Sequence, residues 1–264
     1  MAFRLARFGL AAAAALAFST VSAAPITQWD YIVDSTFDAS KTTFAAGRAS
    51  SSGTVAPSNL EISWGVTGGT VGQNRSGLRI SNTPSAGVLA TDGASQLANT
   101  YTHINNGNLG NNSVSLLKTQ INAQLQLRPK DSGLPFASFA SDYTINFAET
   151  PNTPGSCVVV SAVACDDIFV LSGALNESFV YDGFEYFVSF FAAPTLTSLA
   201  PAVCAAAGAG PNCVGFTTEE FRSTSVNFNL AITSRAIEIP EPGSVALLGL
   251  GLIGVAAVRR RPRG

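Results

Sequence analysis

The sequence predicts an all-β fold, an antiparallel β-sandwich of jelly-roll kind with one or two short helical turns. Three observations carry that reading: apolar and polar residues alternate over short stretches, clusters of Gly, Pro, Asn and Ser separate the stretches, and helical periodicity is scarce. Leu60, Ile62, Trp64 and Val66 alternate with Glu61, Ser63 and Gly65, which places Trp64 in a core. Leu78-Arg79-Ile80 and residues 101–104 form the next two strands. Ile121, Ala123, Leu125 and Leu127 alternate with Asn122, Gln124 and Gln126 until Pro129 ends the run, and Tyr143, Ile145 and Phe147 repeat the pattern. Strands follow over 167–171, 177–181 and 184–191, and Val226, Phe228, Leu230 and Ile232 close the domain. Many short strands with regular turn signals argue for two packed antiparallel sheets. Two helical pieces are expected. One covers 199–207, with Ser198 as its cap, Pro201 in its first turn and Gly208 as its stop. The other is a single turn around Phe221, opened by a capping box from Thr217 to Glu220.

The two ends of the chain read as targeting segments. Arg4 and Arg7 precede an apolar block over 8–18, and Val21-Ser22-Ala23 supplies small residues for cleavage, the pattern of a secretory signal peptide over 1–23. At the other end Pro240, Glu241 and Pro242 form an extended, exposed marker, because two prolines fix φ and remove two backbone donors. An uncharged run over 244–258 follows, then Arg259, Arg260, Arg261 and Arg263. As a helix the run covers about 22 Å, short but tolerable against a bilayer core of about 30 Å. The arginines hold their end at cytoplasmic headgroups, which leaves everything before the marker outside. Gly249, Gly251 and Gly254 match a dinucleotide-binding spacing, but they follow no strand and no acidic residue lies about 20 positions on. The expected organisation is therefore a signal peptide over 1–23, one extracytoplasmic β-sandwich over 24–238, and a sorting signal over 239–264.

Removing both ends changes the charge. The chain has 15 Lys and Arg against 17 Asp and Glu, and six of the basic residues lie in the targeting segments. Nine remain, so the mature domain carries about −8 rather than −2, a balance that repels phosphate backbones and argues against nucleic acid as a partner. Four cysteines suit an exported chain. Three connectivities are open to them, and the pairs Cys157–Cys165 and Cys204–Cys213 are favoured because each closes a local loop. Zinc binding is disfavoured, since neither pair has the two-residue spacing of a zinc knuckle and the one histidine lies far upstream.

No catalytic constellation is legible. His103 has no serine in a nucleophile-elbow pattern to serve. Flanked by Thr102 and Asn105, it reads as a strand-end residue bonded to backbone or Asn, beside an Asn-Gly turn in which Gly107 should resist substitution if its φ is positive. Asp166 and Asp167, with Glu149, offer oxygens of the kind Ca²⁺ takes, but adjacent strand carboxylates point to opposite faces. The simpler reading makes Asp167 a solvated strand start and Asp166 a turn cap. No metal or other cofactor is then expected, weak Ca²⁺ binding being the alternative. In the aromatic run, Phe184, Tyr186, Val188 and Phe190 share one face and belong to a core, while Phe187 and Phe191 need cover from a loop, another chain or a ligand.

Two resemblances follow. The marker, apolar run and arginine end, in that order, resemble the PEP-CTERM sorting signal of Gram-negative bacteria, which implies processing by an exosortase and a transient inner-membrane anchor. Trp64-Gly65-Val66, Ser76-Gly77-Leu78-Arg79-Ile80, Thr102-His103-Ile104-Asn105, Glu149-Thr150-Pro151-Asn152, Cys165-Asp166-Asp167-Ile168-Phe169 and Cys213-Val214-Gly215-Phe216-Thr217-Thr218 together resemble the THxN family of PEP-CTERM proteins. That family implies export and surface display and transfers no catalytic residue. Two functions stay open: a structural or adhesive component of the cell surface or exopolysaccharide matrix, and a secreted carbohydrate-binding or hydrolytic protein. Acids clustered in a cleft around His103 or Glu149 favour the second, and a solid sandwich favours the first.

Overall fold

A computed structural model describes residues 24–110, 112–150, 157–161, 164–173, 176–193 and 196–237. The signal peptide over 1–23 and the sorting tail over 239–264 lie outside the described residues. The strands in chain order are β1 (Gln28–Phe44), β2 (Ser51–Val55), β3 (Glu61–Val66), β4 (Arg75–Ser81), β5 (Ser85–Ala90), β6 (Gln96–Ile104), β7 (Leu116–Pro129) and β8 (Ala137–Ala148). They continue as β9 (Val160–Ser161), β10 (Ala164–Cys165), β11 (Asp167–Ser172), β12 (Asn176–Tyr181), β13 (Phe184–Ala193), β14 (Thr197–Ser198), β15 (Val214–Thr218) and β16 (Ser223–Ala236), with helix α1 (Pro201–Ala206) before β15.

Two seven-stranded antiparallel sheets make the body. One runs β14-β15-β11-β8-β7-β1-β5 and the other β12-β13-β16-β6-β4-β3-β2, while β9 and β10 form a separate small ribbon. The all-β architecture expected from the alternation is the one observed. Period 2 selects the inner faces: Trp64 with Ile62, Tyr101 with His103, and Tyr143 with Ile145 and Phe147 all point between the sheets. In β13 the row of Tyr186 and Val188 is buried, with Phe184 and Phe190 packed against it.

The longest strand, β1, was not anticipated, although Trp29, Tyr31, Val33, Ser35 and Phe37 alternate inward along it. Its pairing with β7 is interrupted between Asp38 and Thr43, where the Asp38 carboxylate accepts hydrogen bonds from the Ser40 backbone N–H and hydroxyl. Helix α1 is shorter than expected. Ala200, not Ser198, is its N-cap and gives no side-chain hydrogen bond; Ser198 lies in β14. Pro201 opens it because a first-turn N–H has no intrahelical partner, and Gly208, at φ 68°, ends it. The expected turn of helix around Phe221 is absent. Thr217 belongs to β15, and residues 219–222 form a tight connection to β16 in which Phe221 adopts φ 61°.

Both cystines are local. Cys157 joins Cys165, and Cys204 joins Cys213. The second pins α1 over β11, where Val203, Cys204, Ala207 and Cys213 cover Ile168 and Val170. With that outer face sealed, β11 is buried on both sides from Asp167 to Val170.

Candidate functional site

Strand pairing delivers a set of polar side chains to one place between the sheets. His103 sits in β6 opposite Leu78 of β4 and Thr224 of β16, in the inward row with Tyr101, and is fully buried. From the other sheet, β11 presents Asp167 and β15 presents Thr218, which face each other in register. Glu149 follows the end of β8, and Glu220 follows β15 in the connection that crosses from one sheet to the other. Phe221 makes that crossing with a left-handed backbone, costly for a bulky residue, and the same turn directs Glu220 inward to 1% exposure.

The His103 ring stacks on Trp64, with centroids 5.7 Å apart and planes 12° from parallel, and touches Phe147 and Phe169. Its Nδ1 shares a 2.8 Å hydrogen bond with the Thr218 hydroxyl. Its Nε2 lies 4.0 Å from Asp167 Oδ2. The Trp64 indole N–H donates to Glu149 Oε2 at 2.7 Å, and the Thr150 N–H donates to Asp167 Oδ1 at 2.9 Å. Asn105 donates to the Glu219 carbonyl. Among the described residues, His103 Nε2, Asn105 Oδ1, Glu149 Oε1, Asp167 Oδ2 and both Glu220 oxygens are buried with no hydrogen-bond partner. Carboxylate oxygens of Glu149, Asp167 and Glu220 all lie within 4.8 Å of one another.

Burial sets the electrostatics. It pushes the Glu149 carboxyl up to about 8 against the pull of the Trp64 hydrogen bond, and the Glu220 carboxyl up to about 7. Asp167 is raised well above the carboxylate range by burial first and then by the charges of Glu149 and Glu220. Burial also lowers His103 to about 3. Near neutrality the imidazole is therefore uncharged, so its approach to Asp167 is not an ion pair. Three acids and a neutral imidazole, walled by Trp64, Phe147 and Phe169, can either hold protons or hold a cation.

Several expectations are corrected here. Asp167 is not a solvated strand start: it has no exposure, and its inward row is the one that carries Phe169. Asp166 is also buried, with Oδ2 accepting from the Thr217 hydroxyl, so the hydroxyl read as a helix cap serves this carboxylate. Asp167, rather than both aspartates, enters the cluster with Glu149. His103 is bonded to a side-chain hydroxyl rather than to backbone or Asn. Gly107 does not have positive φ; a Cβ there would collide with the Phe221 ring. Thr102 faces away from the cluster and shares a hydrogen bond with Ser225. Among the other acids, Glu185 on β13 pairs with Arg235. Arg235 also covers Phe187, its guanidinium 5.4 Å from the ring centroid, and Phe191 stays 40% exposed. Glu220 was missed as a site residue, because nothing local distinguishes it from half-buried Glu219.

The acids do gather around His103 and Glu149, but inside the sandwich rather than in an open cleft. A separate apolar crevice between the sheets is lined by Val33, Tyr101, Ile121, Phe190 and Phe228 and contains none of these acids.

The marker Pro240, Glu241 and Pro242 and the arginines Arg259, Arg260 and Arg261 lie outside the described residues. Residues 238–261 match the family model of the PEP-CTERM protein-sorting motif. No curated protein matches the chain. The motif supports a PEP-CTERM protein, exported, held for a time at the membrane as a sorting intermediate and processed by an exosortase.

Proposed function

We propose that the protein is a structural component of the cell surface or exopolysaccharide matrix, of the THxN kind, delivered by its signal peptide over 1–23 and released when its tail is cut near Pro240. The single domain over 24–238 is what remains outside. The observation that carries this reading is the pairing of a C-terminal sorting motif with a sandwich whose acidic cluster lies largely inside: His103 and Asp167 have no exposure, Glu220 has 1% and Glu149 is half-buried. A hydrolase needs its acid and base within hydrogen-bond reach of substrate. Groups buried between two sheets do not meet a polysaccharide. The exposed faces instead present the Ser, Thr, Asn and Gln of alternating strands, such as Asn122, Gln124 and Gln126 on β7, a surface suited to contact with hydrated polymer.

Replacing Pro240, Glu241 and Pro242 by alanine in the native host tests the sorting route. The expected result is a longer, membrane-retained form, with the matrix fraction depleted of the domain. A surface-exposed parent protein whose C-terminus is intact by mass spectrometry overturns it.

A further inference from the structure

We propose that Glu149, Asp167 and Glu220, with Asn105 and His103 at the rim, form an inter-sheet site for a hard divalent cation of the Ca²⁺ or Mn²⁺ class. The first observation is the convergence of three carboxylates, with oxygens within 4.8 Å of one another, from the end of β8, the start of β11 and the β15–β16 connection. The second is independent of the acids. Asn105 Oδ1 and His103 Nε2, on residues 4% and 0% exposed, have no partner among the described residues.

The Asn105 amide reaches the connection that carries Glu220 by donating to the Glu219 carbonyl. His103 Nε2 is aimed at the acids and faces Asp167 Oδ2 at 4.0 Å. That gap is too long for a hydrogen bond. It suits two ligands of one ion, since each lies about 2.0–2.6 Å from such a metal. The ion pairs of Arg79, Arg128, Lys130, Arg222 and Arg235 all go to other acids. The donor set is dominated by carboxylate and amide oxygen, which favours a hard cation, and its single imidazole is compatible with Mn²⁺. Trp64 and Thr150 orient the set by donating to Glu149 and Asp167, as partners of ligating carboxylates commonly do. Because His103 belongs to one sheet and Asp167 to the other, the ion ties the sheets together at this end of the sandwich.

Thermal unfolding of the full-length protein in detergent, first in EDTA and then with CaCl₂, MnCl₂ or ZnCl₂ restored, tests the site. With the cation about a hundredfold above its Kd, the melting temperature should exceed that in EDTA by about 5–10 °C. Glu220→Gln and Asp167→Asn should each abolish that gain. In EDTA these isosteric variants should melt at or above the parent, because each removes one of three mutually repelling groups. Calorimetric titration of the chelated parent should give one ion per chain, and this readout stands even if a variant fails to fold. The proposal is overturned by no shift and no titration signal with Ca²⁺ or Mn²⁺, by a gain confined to Zn²⁺, or by a gain that persists undiminished in Glu220→Gln.

Discussion

The two tryptophans divide the molecule into ends with opposite characters. Trp29 and Trp64 are both buried, both point between the sheets, and both donate their indole N–H to a side chain. Trp29 is ringed edge-on by Phe179, Tyr181 and Tyr186, and its N–H reaches the neutral Thr91 hydroxyl at 3.1 Å. Trp64 stacks on a histidine and donates to a carboxylate that belongs to a cluster of three. The same packing solution thus encloses a neutral core at one end and an unneutralised polar one at the other. Apolar burial holds the first without help, whereas the second needs protons or a cation, because unpaired charge between sheets is far costlier than lost packing.

The largest effects should come from the tryptophans themselves. Trp29→Ala and Trp64→Ala should each cost about 3–5 kcal/mol in urea unfolding, since each empties a large packed volume. Phenylalanine at the same positions sharpens the contrast. Trp64→Phe strips Glu149 Oε2 of its donor and should cost about 1–3 kcal/mol more than Trp29→Phe, which affects only a neutral hydroxyl. Equal losses would show that the polar end is no more demanding than the apolar one.

Next in size is the response to pH with the cation chelated. The raised carboxyls of Glu149, Asp167 and Glu220 keep their protons in the folded state after the unfolded chain has lost them. Stability from these groups is therefore fully present below about pH 4 and is lost as pH rises toward 8. His103, lowered by burial, acts in the opposite sense: below about pH 6.5 the unfolded chain gains a proton that the folded ring refuses. Asp166, bonded to Thr217 outside the cluster, is a further acid whose charge raises Glu220. Three acids outweigh one imidazole, so the urea midpoint in EDTA should fall between pH 6.5 and 8, and Glu149→Gln should flatten the fall. A midpoint that rises over that interval would contradict the buried-proton account.

The smallest effect is expected at the surface of the apolar end. Arg235→Ala uncovers Phe187 and breaks the exposed pair with Glu185, and should cost no more than about 1 kcal/mol. A loss comparable to that of Trp29→Phe would mean that the face carrying Phe187 is part of the core.

The strand pattern was readable because a half-buried strand writes its burial into neighbouring residues: Ile121, Leu125 and Leu127 announce their face without any knowledge of the partner strand. No strand was expected over β1, although it carries the same alternation with Asp30, Asp34 and Asp38 at its outward positions. Asp167 was misread for a structural reason. Its neighbours Ile168 and Val170 are buried on the outer face by α1 and the Cys204–Cys213 bridge, and a strand covered on both sides has no solvated position to offer. Glu220 was invisible because its direction depends on the left-handed turn at Phe221, a conformation that residue type argues against.

By itself the sequence determined what depends on local order along the chain: the all-β class, most strands and their inward faces, and the sorting motif over 238–261. The tertiary structure alone decided what depends on register across sheets. Sequence separations of 115 between His103 and Thr218 and of 85 between Trp64 and Glu149 collapse to single hydrogen bonds only after seven-stranded pairing on each side is complete. Local periodicity states which face a side chain takes, but whether the group opposite is an apolar ring, a hydroxyl or a third carboxylate is set by strands far away, and with it the cost of burying charge there.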